Sequence, residues 1–345
     1  MKRKAILAVV LSLLALFAVS SFSPARGDVT PGKIEKVDLP NGSYYLIYVP
    51  KCYEPDGKTG VYLILHGAGG TAKGMISAFV YGETGNHNYL EERNCIGVAP
   101  KSIGRSWQSG ESTPMDALNE VLKNYKVDKK RIHLFGYSAG GFFSGWLGFE
   151  KPELFRTICI CAAFLAQTNM ASVKKHIQKP VYFVCGENDP NAQGARDSYN
   201  LLLKWGARYT RIRIVPGQGH NFPFQNEFPL LFRWYAAMDS GYDYASALDE
   251  AKKLVKRKIK KAIAKVREIE SHPPEDVFWK TLAEIKGMID KKGEKKLKGI
   301  LAIYKPRPQK CIEKLKEFEE LFEGYPVADK AKEAREKLEA KLAGR

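Results

Sequence analysis

The chain has 345 residues, 44% of them hydrophobic and 11% aromatic, with a net charge of +17. That length and apolar content exclude a disordered or fibrous chain and suit one large core plus a smaller appendage. The basic balance alone would raise nucleic acid as a partner, but the N-terminus argues for export, where anionic surface or matrix polymers and plain solubility are the readier explanations.

Residues 1–25, MKRKAILAVVLSLLALFAVSSFSPA, place Lys2, Arg3 and Lys4 before an apolar run from Ala5 to Val19 and then small residues. This is the pattern of a secretory signal, with cleavage after Ser20 or Ala25. An uncleaved anchor is the weaker reading, since the run is shorter than the ~20 residues a membrane span needs. Removing the three basic residues takes the net charge to +14, and no later segment has spanning length. The expected location is periplasmic or extracellular.

From about residue 26 to 242, short β-branched or aromatic runs alternate with helical patterns. The strand-like runs are 44–49, 61–66, 95–100, 131–136, 157–162, 181–186 and 211–216; the helical ones are 72–81, 114–125, 139–149, 192–205 and 228–238. Such alternation predicts an α/β fold with a mostly parallel sheet covered by helices on both faces. Sites in these sheets lie in the loops after strand ends.

Five such loops carry chemistry. HGAGG (66–70) follows an apolar strand and is free of bulky side chains, so its amides can approach a substrate; Ala68 N–H, paired with Ala139 N–H, is the expected oxyanion hole. The loop 100–114 offers Trp107 as a wall of a substrate-binding pocket, a role Phe222 shares. In GYSAGG, Ser138 stands between a strand and a helix, and Gly136 and Gly140 relieve the collisions of so sharp a turn. A serine hydroxyl needs a base and the base needs an acidic orienter. Of six histidines, His133 lies inside a core strand, His176 in a polar helix, His272 before a double proline, His87 in a polar loop and His66 in the glycine loop. His220, in GQGHNF after the last strand, remains. In GENDP, Asp189 is favoured over Glu187 because it lies far enough past the strand to turn back over the sheet edge.

HGAGG, GYSAGG, GENDP and GQGHNF, in this order, resemble an α/β-hydrolase, and more narrowly the secreted esterases that include polyhydroxybutyrate depolymerases and feruloyl or acetylxylan esterases. The resemblance covers roughly residues 40–240. It implies an eight-stranded sheet, a Ser138–His220–Asp189 triad and hydrolysis of carboxylic esters through an acyl-enzyme, with no cofactor and no metal. The interval of about 15 residues between the strands at 157–162 and 181–186 is too short for a large lid. An open cleft favours bulky or polymer-borne esters. A serine peptidase of the same fold, and a binding protein with an inert hydrolase domain, are the competing readings.

Six cysteines suit an exported chain. Cys159, Cys161 and Cys185 sit in apolar strand runs as small hydrophobes, leaving Cys52 and Cys95 as a pair that could bridge. No cysteine spacing suits structural zinc.

Residues 243–345 hold 27 of the 55 Lys and Arg and 19 of the 38 Asp and Glu, with helical apolar spacing and breaks at His272-Pro273-Pro274, Gly293 and Pro306–Pro308. Four or five antiparallel helices are expected, the last stretch resembling half of a tetratricopeptide-like repeat. The basic tail is a candidate contact for anionic cell-surface or matrix polymer.

Overall fold

The computed structural model describes residues 29–344, apart from 83–84, 109–110, 167, 222–226 and 273–275. The expected signal segment and Phe222 therefore lie outside the described residues.

Among the described residues, eight strands form one sheet: β1 (Ile34–Asp38), β2 (Tyr44–Tyr48), β3 (Thr59–Leu65), β4 (Cys95–Pro100), β5 (Val127–Tyr137), β6 (Thr157–Cys161), β7 (Val181–Gly186) and β8 (Thr210–Val215). Their spatial order is β1-β2-β4-β3-β5-β6-β7-β8. β2 runs antiparallel to both neighbours, and every pairing from β4 to β8 is parallel. β1 lacked an apolar run and was not among the expected strands. Its IEKVD is half exposed at the sheet edge, so it carries only a partial core face.

The continuous apolar strands are buried on both faces, as the parallel pairing requires. On β3, Tyr62 and Ile64 pack to one side with helices α1 (Ala72–Tyr81) and, further along the chain, residues 228–239. Val61, Leu63 and Leu65 pack to the other, with α3 (Thr113–Asn124) and α4 (Ala139–Glu150). A one-turn α2 (Tyr89–Glu92) precedes β4, a six-residue α5 (Met170–Lys175) follows β6, and α6 (Ala192–Lys204) covers β7 and β8. Among the described residues between β6 and β7, α5 is the only helix.

After α7 (Phe228–Asp239) the chain continues as α8 (Tyr244–Arg257), α9 (Ile259–Glu270), α10 (Asp276–Ile303), α11 (Pro308–Leu321) and α12 (Pro326–Ala343). The expected break at Gly293 is not there. α10 runs unbroken through it, and a Cβ at Gly293 would lie 2.7 Å from Val327 and 2.8 Å from the Phe322 ring. This glycine allows close helix packing rather than ending a helix. The break falls instead at Lys258, whose φ of −137° and ψ of 71° separate α8 from α9.

These helices dock on the sheet unit. Tyr244, Ala247 and Leu248 join the same buried cluster as Tyr62, Phe79 and Tyr182. Tyr209 donates its hydroxyl hydrogen to Asp243, and Arg208 pairs with Asp249 at 3.2 Å. Among the described residues no helix is long and apolar enough to cross a membrane.

The expected cysteine pair does not form. Cys52 is exposed and free, whereas Cys95 is buried with its thiol directed at the Arg93 carbonyl, so no bridge joins them. Burial pushes the Cys95 thiol up to about 12.

Candidate active site

The turn from β5 into α4 forces Ser138 to φ 53° and ψ −117°, a strained conformation for a residue with a side chain. The surrounding glycines are required sterically. A Cβ at Gly136 would lie 2.0 Å from the Gly140 carbonyl oxygen, one at Gly140 2.5 Å from the Leu65 oxygen, and one at Gly141 2.7 Å from the Cys161 oxygen. Ser138 N–H donates to that same Cys161 oxygen at 2.8 Å, anchoring the turn to the end of β6.

His220 approaches from the loop after β8, and its Nε2 lies 2.8 Å from Ser138 Oγ. Its Nδ1 lies 2.8 Å from Asp189 Oδ2. The Asp189 side chain is fully buried, and an ionised carboxylate only accepts hydrogen bonds, so Nδ1 carries the proton and Nε2 is left to accept from the serine hydroxyl. The other Asp189 oxygen accepts from Asn191 N–H at 2.8 Å. Glu187 lies elsewhere: it accepts from Gly217 N–H at 3.0 Å and so braces the loop that carries His220. Of the two acidic residues in GENDP, only Asp189 meets the imidazole.

The HGAGG loop packs directly on this turn. A Cβ at Gly67 would lie 2.9 Å from the Tyr137 ring and 3.2 Å from Ser138 Cβ. Ala68 is exposed at the loop tip and Ala139 opens α4, where backbone N–H groups and the helix dipole favour negative charge. Neither N–H is bonded to an acceptor among the described residues. His66 holds the loop from behind: burial lowers its pKa, Nδ1–H donates to the Gly67 carbonyl at 2.8 Å, and Nε2 accepts from Ser102 N–H at 3.2 Å.

Two concavities flank Ser138. One, of about 340 Å³, is lined by Trp107, Ala139, Phe142, Phe143, Trp146 and Phe164. The other, of about 570 Å³, runs along the HGAGG loop past Ala68, Met75, Tyr81 and Tyr137. Trp107 is thus a pocket wall and also a structural post, since its indole N–H donates to the His66 carbonyl at 2.6 Å. Among the described residues no group of His, Cys, Asp and Glu is arranged to hold a metal ion.

An eight-stranded sheet with an antiparallel second strand, a serine on a strained turn after the fifth strand, and an acid and a histidine after the seventh and eighth together decide the architecture. The chain has the α/β-hydrolase fold.

The chain is similar to several known proteins. The model of the prolyl oligopeptidase family matches residues 112–175, the stretch that contains α3, β5, the Ser138 turn and α4. A poly(3-hydroxybutyrate) depolymerase of Ralstonia pickettii is 23% identical over 189 residues, 48% of this chain and 39% of that protein. The chain therefore spans about two-fifths of the length of this curated relative. Among solved structures, a thermostable esterase is 22% identical with a TM-score of 0.44, covering 60% of each chain. S-formylglutathione hydrolase of Staphylococcus aureus is 12% identical with a TM-score of 0.49, covering 59% of this chain and 97% of that one. A ferulic acid esterase of Anaeromyces mucronatus is 15% identical with a TM-score of 0.46, covering 59% and 90%.

Within this hydrolase fold, sequence reasoning overlooked two groups of residues. Phe142, Phe143 and Trp146 follow Ala139 at helical spacing, a signal that one face of α4 is turned to the pocket. Tyr137 is the other: its hydroxyl donates to the His220 carbonyl at 3.0 Å and its ring lies 5.5 Å from the imidazole. Burial pushes the Tyr137 phenol up to about 12, which keeps the donor protonated.

Proposed function

We propose that this chain is an exported serine hydrolase that cleaves carboxylic esters through an acyl-enzyme. The observation that carries the reading is the line of two 2.8 Å contacts from Ser138 Oγ through the His220 ring to buried Asp189. His220 Nε2 takes the hydroxyl proton as Ser138 Oγ attacks the ester carbonyl, and Asp189 stabilises the imidazolium that forms. The tetrahedral oxyanion is held by Ala68 and Ala139 N–H. Collapse expels the alcohol, which receives the proton from His220. Water, deprotonated by the same nitrogen, then attacks the acyl-serine and releases the acid.

The aromatic concavity beside Ala139 suits a bulky or aromatic group, and the more open one along HGAGG suits the rest of an extended substrate. The shortness of the β6–β7 connection supports a cleft open from that side. Esters borne on polysaccharides, such as acetyl or feruloyl groups, or polymeric hydroxyalkanoates, fit these features. The name of the Ralstonia relative supports the polymeric class.

The match to the prolyl oligopeptidase family over residues 112–175 favours a second reading, a serine peptidase. A side-by-side assay of p-nitrophenyl acetate, a feruloyl ester, a hydroxybutyrate oligomer and an aminoacyl anilide separates the two. Ester turnover without anilide turnover is expected, and the reverse would establish the peptidase.

A further inference from the structure

The C-terminal helices contain a concavity of about 700 Å³ where the second half of α10 faces the break between α8 and α9. Ile259, Ile300 and Ile303 supply its apolar surface, and Arg257, Lys295 and Lys296 its charge. At Gly299, also in its lining, a Cβ would meet nothing within 4 Å, so this glycine keeps the groove open rather than serving packing.

Elsewhere in these helices several cations are matched. Lys265 bridges Glu250 and Glu268, Lys286 meets Glu270, and Arg335 meets Glu319. In the groove they are not: among the described residues no carboxylate lies within ion-pair distance of Arg257, Lys295 or Lys296. The flanking sequence explains why. Residues 252–261 contain seven Lys or Arg and no acid, and residues 291–310 contain eight with Glu294 alone, which is engaged by Lys330. The apolar side is as unusual. Ile303 is 70% exposed at the end of α10 and Leu301 beside it 37%.

We infer that this groove docks on a membrane surface carrying anionic lipid, with Arg257, Lys295 and Lys296 meeting lipid phosphates and Ile300 and Ile303 entering the acyl-chain boundary. A cationic rim around exposed aliphatic side chains is complementary to that interface in both charge and polarity. A soluble polyanion would use the cations and leave Ile303 in water. The inference is independent of the chemistry at Ser138.

The test uses the chain without residues 1–25, which the described fold does not include, sedimented with vesicles. Phosphatidylcholine vesicles should leave it in solution, and vesicles of phosphatidylcholine with phosphatidylglycerol should carry it down. Lys295→Glu with Lys296→Glu should weaken vesicle binding by about tenfold or more. Ile303→Ser should weaken it by about fivefold while leaving affinity for soluble polyglutamate unchanged. All three side chains are exposed, so an unchanged melting temperature checks that the variants fold. Failure to sediment with the anionic vesicles overturns the proposal. So does vesicle binding indifferent to Ile303→Ser, which would mark a general polyanion site.

Discussion

Asp189 and Glu187 are two residues apart, yet their environments separate them. Asp189 is buried against the imidazole and Glu187 holds a backbone amide of the neighbouring loop. Asp189→Asn should lower kcat by about 10³- to 10⁴-fold, because the amide no longer selects the tautomer that leaves Nε2 free to accept. Glu187→Gln should change kcat by less than about tenfold. Steady-state kinetics on a p-nitrophenyl ester distinguishes them, and similar losses in both would mean the acid has been misassigned. At this scale the sequence was legible wherever chemistry demands a residue type at a strand end: Ser138, His220 and Asp189 are brought together from positions 138, 189 and 220. Residues that act through their backbone contacts were not legible. Tyr137 and His66 position their neighbours by bonds to the carbonyls of His220 and Gly67, and a carbonyl leaves no mark in the sequence. The Cys52–Cys95 pairing failed for a related reason, since export permits a disulfide but only the fold decides which thiols meet.

At the scale of elements, α10 contains three glycines that look alike in sequence and differ in surroundings. A Cβ at Gly287 meets nothing within 4 Å, whereas one at Gly293 overlaps Val327 and Phe322 of the neighbouring chain segment. Gly287→Ala should therefore raise stability by up to about 1 kcal/mol through helix propensity. Gly293→Ala gains the same propensity but must displace packed side chains, so a net loss of about 1–2 kcal/mol is expected. Thermal or urea unfolding of the two variants checks the opposite signs. The helices of this region were readable from apolar spacing, but Gly293 reads as a stop because glycine at helix ends and glycine at helix crossings are the same letter. β1 was missed for lack of an apolar run, while β4 and β7 have the bounds their sequences predict, being buried and bounded by turn residues.

Across the whole molecule, the end of α7 holds a buried charge cluster that ties this helix to the sheet. Asp239 pairs with Arg93, with Arg131 at 3.2 Å and with His133 at 3.2 Å. Burial opposes ionisation of Asp239, but His133 and the two guanidinium groups outweigh it and hold the carboxyl at about 2, below its ordinary 3.8. Burial also lowers the His133 pKa. The two shifts have the same sign for stability. The Asp239 contribution is complete above about pH 4 and is lost as pH falls towards 2, and His133 resists protonation in the folded state below about pH 6.5. Acid unfolding should therefore remove about 2 kcal/mol through Asp239, and Asp239→Asn should destabilise the protein near neutral pH by about 3 kcal/mol by leaving Arg93 and Arg131 without their acid. Melting temperatures of both proteins between pH 2 and pH 7 test this; a variant as stable as the parent near neutrality would show that the cluster contributes nothing. None of this cluster was visible in the sequence, because its members come from residues 93 to 239 and meet only when the sheet has formed.

The proposed ester hydrolysis requires Ser138 to be the nucleophile. Intact-mass and peptide analysis after treatment with a fluorophosphonate should find one adduct, on Ser138, absent in Ser138→Ala and slowed by about 10³-fold or more in His220→Ala. Labelling that persists in Ser138→Ala, or no labelling of the folded parent protein, would contradict the account.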